Sequence, residues 1–332
     1  MSDGCKRRPD ADAVAAARHV LENVLCMQST DLLLILAEPS TLSIAQVFLR
    51  SADSEALDML VAVLPAGAGA TVRLPSDLER LMMERSAFLA VTERGFTHTA
   101  ARRRACENGA RGLTMPRGTL ELLRSPAVSA DYRAIARAGE TLSRALDGTN
   151  TVVVRSATGR DLTFDVSGGR WFAERGLCDR PGDFGNLPGG EVSIAPVDAH
   201  GTLVVDGSIN PLGLLEDPLE LTIEDRRVVG IRGPRAGELL RFLESFGEGA
   251  FNVAEIGIGT NPRADVTGII VKDEKSLGTV HVGFGNNSNM GGFSRATKVD
   301  VPVHIDGVVR SPVELWCDGC LVDPRLIFEE GR

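Results

Sequence analysis

The sequence predicts an α/β N-terminal domain with an open parallel sheet, followed by an α+β domain with a mainly antiparallel sheet. Three observations lead there. Residues 1–147 alternate short, unbroken apolar runs with helix-like stretches, as expected of strands buried on both faces between crossover helices. Residues 148–332 change to period-two alternation interrupted by glycine-containing turns, the pattern of hairpins. A chain of 332 residues also exceeds the usual size of one core, so two domains, 1–147 and 148–332, are expected.

The N-terminus passes from a few basic residues straight into an acidic, alanine-rich helical pattern. It lacks the apolar core and cleavage site of a secretory signal, which points to a cytoplasmic protein. DLLLILAEPS (31–40) and DMLVAVLP (58–65) are expected as buried parallel strands, each apolar on successive residues and closed by turn residues, with SAFLAVTERG (86–95) as a third. DLERLMMERS (77–86) and DYRAIARAGETLSRALDG (131–148) are helical, the second closing on a glycine as helix C-termini commonly do. After DGTN (147–150), the segments TVVVRSATGRDLTFDVSG, GTLVVDGSI and LELTIEDRRVVGIRG have the spacing of hairpins, and only AGELLRFLESFG (236–247) interrupts them as a helix.

Composition excludes several classes of function. No apolar run approaches the ~20 residues that cross a bilayer, so no membrane association is expected. The net charge of -9 argues against nucleic acid as a partner, because that affinity rests on clustered Lys and Arg. The one basic run, in AARRRACENGAR, is expected as a solvated helix face. Six cysteines (Cys5, Cys26, Cys106, Cys178, Cys317, Cys320) are spread too thinly for a disulfide framework. CDGC (317–320) has no second pair to complete a zinc ribbon, so a hairpin turn at Asp318 and Gly319 is expected. No phosphate-binding loop is present, and GFGNNSNMGG does not have the frame of a dinucleotide fingerprint.

The second half holds the donors of a metal site. In HID, His304 and Asp306 are two apart, which on a strand sends both side chains to one face. His281 lies in the strand-like LGTVHVGFG, ahead of a loop rich in Gly and Asn. Glu255, in NVAEIGIGTNP, stands among apolar residues and glycines where an unpaired carboxylate is costly to bury and a cation would relieve it. Glu191 follows a Gly-Gly turn and begins the apolar run of NLPGGEVSIAP. Two histidines of five and three carboxylates, all in β-rich segments beside glycine turns, match the ligand chemistry of a two-metal hydrolytic site. The other histidines, His19, His98 and His200, lie in a helix, in GFTHTA and in a polar turn, with nothing to set them apart.

The segments NLPGGEVSIAP, GTLVVDGSI, NVAEIGIGTNPRADVTG, DEKSLGTVHVGFGNNSNMGG and VHIDGVV run in order over most of residues 186–309. As an ordered set, this resembles the aminopeptidase T and aminopeptidase S family of metallo-aminopeptidases. The resemblance implies that Glu191, Glu255, His281, His304 and Asp306 bind two divalent ions, zinc or cobalt, around a bridging water. It also implies that Glu191 or Glu255 doubles as the base, that the substrate is a peptide with a free amine, and that the protein is a homodimer. One departure matters. The peptidases carry a tyrosine seven residues after the first ligand histidine, a position held here by Ser288, and the only tyrosine is Tyr132 in the other half. Either Asn286 or Asn287 replaces its hydrogen bond, or the chemistry is not peptide hydrolysis.

The chain also resembles ring-cleaving 2,5-dihydroxypyridine dioxygenases at EIGIGTNPRA and HID. That resemblance implies a small aromatic substrate and iron(II) held by two histidines and an aspartate. Their first histidine falls on Glu255, so such a triad would need to recruit His281.

Overall fold

The computed structural model of the chain describes residues 10–52, 57–66, 74–93, 95–97, 99–288, 296–310 and 313–326. Cys5 and His98 lie outside the described residues. The chain divides into two compact units, one of residues 1–131 with 176–187 and one of residues 132–175 with 188–332. Among the described residues no helix is long and apolar enough to cross a membrane.

The first unit has the predicted open parallel sheet. Its five strands run in the order Asp58–Val63, Leu32–Ala37, Ala87–Val91, Arg111–Thr114 and Phe184–Asn186, all parallel. Helices Leu42–Ser51, Ser76–Met83 and Ala100–Glu107 lie between them in sequence. Leu33 to Ala37 are fully buried, as their unbroken apolar run requires. DMLVAVLP is different. Its strand is the sheet edge and alternates between exposed and half-buried, with Val63 53% exposed. An apolar run marks a parallel strand but carries no information about whether a neighbour covers its second side. Within the basic run, Arg102 stacks over the Phe184 ring at 4.4 Å and donates to the Thr97 carbonyl, while Arg104 pairs with Glu79 at 2.7 Å.

The second unit contains two seven-stranded antiparallel sheets. One runs Arg227–Arg232, Leu219–Glu224, Asp198–Val205, Asp161–Asp165, Thr151–Arg155, Glu314–Cys317 and Cys320–Val322. The other runs Gly213–Leu214, Ser208–Ile209, His304–Val309, Val280–Gly285, Val253–Gly259, Glu191–Ile194 and Phe172–Glu174. Their apolar faces meet in a single buried cluster. Val152, Val154, Leu162 and Phe164 come from the first sheet, and Val192, Ile194, Ile256, Ile258, Val282, Phe284 and Ile305 from the second. Helix Ala236–Glu244 forms where AGELLRFLESFG predicts it, adding Leu239 and Leu243 to the cluster. CDGC makes the expected hairpin, with Cys317 opposite Cys320 and both Asp318 (φ 46) and Gly319 (φ 80) left-handed.

Phe164 is fully buried in this cluster, so Phe164→Ala removes a ring that the two sheets cannot close over. The expected cost is about 3–5 kcal/mol of unfolding free energy, measured by urea denaturation. A loss under about 1 kcal/mol would mean that the two sheets do not share a core.

Candidate metal centre

Four adjacent strands of the second sheet carry the five sequence-selected residues. Glu191 opens its strand, Glu255 is mid-strand in Val253–Gly259, His281 is the second residue of Val280–Gly285, and His304 and Asp306 begin His304–Val309. Residues directly opposite in a ladder point to the same face. Here each of the five faces a glycine. Glu191 is opposite Gly259, His281 opposite Gly257, Glu255 and Asp306 both opposite Gly283, and His304 opposite Gly285. Alternation does the rest, because Ile256, Ile258, Val280, Val282, Phe284 and Ile305 then point to the opposite, apolar face.

The glycines clear room for side chains that must lie across the sheet. A Cβ on Gly257 would stand 2.1 Å from His281 Nε2, and one on Gly283 would stand 2.9 Å from both Glu255 Cβ and His304 Nε2. The glycines of EIGIG and HVGFG are therefore strand residues on the site's own face. Both tracts continue their ladders to Gly259 and Gly285, the second as the strand-like LGTVHVGFG predicts. Glycine within a strand marks close approach by another group, and here that group is a donor side chain.

The five residues fall into two groups that share Glu255. Ligand atoms of Glu191, Glu255 and His281 lie within 4.8 Å of one another, as do those of Glu255, His304 and Asp306. His304 Nε2 is 3.3 Å from Glu255 Oε2 and 3.2 Å from Asp306 Oδ1. Its Nδ1 is 2.7 Å from the Asn286 carbonyl oxygen, which can only accept, so Nδ1 carries a proton. In the neutral ring Nε2 then presents its lone pair between two carboxylates. This is the arrangement a divalent cation requires, with a backbone carbonyl orienting the ligating imidazole. The donor set fits a metal ion.

The histidine expected to complete an iron triad is not the one beside His304. Glu255 takes that place, because it and Asp306 flank the same glycine, Gly283, whereas His281 stands one row away and places Nε2 3.2 Å from Glu191 Oε2. Neither Asn286 nor Asn287 has its side chain free to replace the family tyrosine. The Asn286 amide donates to Asp300 and the Val301 carbonyl, and its oxygen accepts from the Ser288 backbone and hydroxyl. Asn287 is bonded to Thr297 and Val299.

Sequence reading missed the charged floor beneath Glu191. Lys275, 1% exposed, places Nζ 2.6 Å from Glu191 Oε2 and 2.8 Å from Glu274 Oε1. Gly259 again makes the approach possible, since a Cβ there would stand 2.0 Å from the Ser276 carbonyl oxygen as the chain crosses the sheet face. The available signal was KDEK, four charges between the apolar GIIV and the His281 strand, a pattern that more often marks a solvated loop.

Burial opposes charge throughout the cluster, and the partners outweigh it at most positions. Burial raises the Glu191 carboxyl, but Lys275 and His281 bring it down to about 2. Burial lowers His281, while Glu191, Glu274 and Asp306 hold it up to about 9. His304 is held well above the ordinary histidine range by Asp306 and Glu255, and Asp306 well below the carboxylate range by His304. At Glu274 burial prevails over Lys275, and with Asp306 and Glu191 nearby it is pushed up to about 8.

These shifts set the pH dependence of the metal-free protein. His281 binds its proton more tightly when folded, so its stabilisation is complete below about 6.5 and gone by about 9. Glu274 acts in the same direction, because the unfolded chain releases that proton near 4.5 and the folded one near 8. Chelator-treated protein should therefore melt at progressively lower temperature from pH 6.5 to 9, followed by thermal denaturation. A melting temperature that rises over that interval would contradict the assignment.

The family model for 2,5-dihydroxypyridine 5,6-dioxygenase, NicX, matches residues 57–311. No curated protein sequence matches the chain at a significant level. Among solved structures, 2,5-dihydroxypyridine dioxygenase from Pseudomonas putida KT2440 superposes with a TM-score of 0.79 at 21% identity, covering 95% of this chain and 96% of that one. Wild-type AmpT, aminopeptidase T, from Thermus thermophilus superposes with a TM-score of 0.67 at 16% identity, covering 94% of this chain and 97% of that one. At such identities the two structures speak for the fold alone. The family match is different in kind, since it spans most of the sequence and includes all five clustered residues: the chain belongs to the NicX, or 2,5-dihydroxypyridine 5,6-dioxygenase, family.

Proposed function

We propose that this protein is a metal-dependent ring-opening dioxygenase acting on a small hydroxylated nitrogen heteroaromatic, with iron(II) held by Glu255, His304 and Asp306. The observation that carries this is the convergence of those three side chains on one point, with His304 Nε2 aimed between two carboxylates by the Asn286 carbonyl. The family match makes dioxygen chemistry the better reading than the hydrolysis that the sequence puts first. Iron(II) bound there would supply the redox centre at which dioxygen and an electron-rich ring can react.

The chain's own residues do the rest. Glu255 and Asp306 supply two negative charges, enough to neutralise a divalent ion without a second imidazole. With three protein donors, a bound ion would keep room for substrate and dioxygen. His304 and Asp306 keep 22% and 15% of their side chains exposed, so this end of the cluster is open to solvent, whereas Glu191 and His281 are buried behind it. Glu191 and His281 form the inner wall. Their charges would orient the ring hydroxyl of a substrate.

A second reading has one observation in its favour. Glu191, Glu255 and His281 form a further donor group beside the first, as a two-metal hydrolase requires. Ser288 in place of the tyrosine and the committed amides of Asn286 and Asn287 leave that reading without its oxyanion donor among the described residues.

Oxygen-electrode measurements separate the two. Protein loaded anaerobically with iron(II) should consume dioxygen with 2,5-dihydroxypyridine, and His304→Ala should reduce the rate by at least about 100-fold through loss of metal. Cleavage of aminoacyl p-nitroanilides after zinc or cobalt loading, with no dioxygen uptake on hydroxylated pyridines or catechols, would overturn the dioxygenase reading and favour hydrolysis.

A further inference from the structure

Lys275 is the one lysine among the described residues that is almost wholly buried within the cluster, and neither reading of the site uses it. Its ammonium lies between two carboxylates, 2.6 Å from Glu191 Oε2 and 2.8 Å from Glu274 Oε1. The same Glu191 oxygen is 3.2 Å from His281 Nε2. That oxygen is therefore already paired with two nitrogens, one of them a buried ammonium.

The backbone fixes the ammonium there. The Lys275 carbonyl accepts from Asn261 N at 2.8 Å, and Gly278 N and Gly259 N tie the following turn to the Glu255 strand. Glu174, opposite Glu191 on the neighbouring strand, accepts from Gly190 N and adds a further negative charge near the ammonium. Moving Lys275 aside would leave buried carboxylates without a counter-charge, which is costly in a low-dielectric interior.

We propose that Lys275 is a built-in cation filling the Glu191–His281 side of the site, so that the protein binds one divalent ion per chain and not two. A dication on Glu191 Oε2 would stand beside an ammonium shielded from water, where like charges repel with little screening. A dication on Glu255, His304 and Asp306 shares no carboxylate with the ammonium, whose ion pairs are with Glu191 and Glu274. Glu255 is the shared residue, and one ion is enough to neutralise it together with Asp306. The inference rests on the reading of those three residues as the metal site. It deepens that reading by making the second donor group an ion pair closed by the protein itself.

Metal stoichiometry of the intact protein tests it, read by inductively coupled plasma mass spectrometry after equilibration with excess zinc and removal of free metal. One equivalent per chain is expected in the wild type, and Glu191→Gln should leave that count unchanged. Lys275→Ala should admit a second ion, raising the count towards two. Two equivalents in the wild type, a fall from two to one in Glu191→Gln, or one equivalent in a Lys275→Ala variant shown to be folded by circular dichroism would each overturn the proposal. The wild-type and Glu191→Gln counts decide the matter if Lys275→Ala does not fold. A wild type with no bound ion would sink the Glu255–His304–Asp306 reading itself, whereas a count of two sinks only the role given to Lys275.

Discussion

The site depends on a steric condition: glycine must stand opposite each donor on the polar face of a sheet. Five ionisable side chains from four strands need more width than the spacing of neighbouring strands, ~4.8 Å, leaves between ordinary residues. Gly257, Gly259, Gly283 and Gly285 supply it, each in register with a donor. Filling any of these positions displaces an imidazole or a stretch of backbone, as the 2.1 Å approach to His281 and the 2.0 Å approach to Ser276 make plain.

That condition also explains why the sheet can carry so much charge and remain folded. Its other face is continuously apolar and closes against the second sheet over one large core. The polar face then needs charge balance more than packing. Lys275 provides part of the balance permanently, and the protonated histidines of the metal-free protein provide the rest. At the Glu255–His304–Asp306 end, a proton on His304 occupies the place a metal ion would take.

Much of this was legible in the sequence, for identifiable reasons. The change from unbroken apolar runs to alternation reports how many faces of a strand are covered, so the two fold classes could be read directly. The HID triplet fixed a pair of donors on one face, because period two holds for any strand. What the sequence could not disclose depends on register. Nothing local says that Glu255 and Asp306 flank the same glycine, so His281 looked the natural partner for His304. The clearance role of the glycines in EIGIG and HVGFG could not be read locally, because it exists only after the strands pair. The burial of Lys275 was hidden for the same reason, since it comes from a backbone crossing over Gly259. The exposure of Asp58–Val63 was hidden likewise, because an edge position belongs to the sheet and not to the strand.

The claim at the centre is that Glu255, His304 and Asp306 close around a metal ion. Anomalous diffraction from crystals grown with iron(II) under anaerobic conditions locates that ion directly. A single peak about 2.0–2.2 Å from His304 Nε2 and from a carboxylate oxygen of both Glu255 and Asp306 is the expected result. A peak bound elsewhere, or a map without one although iron is present in the crystal, would contradict it.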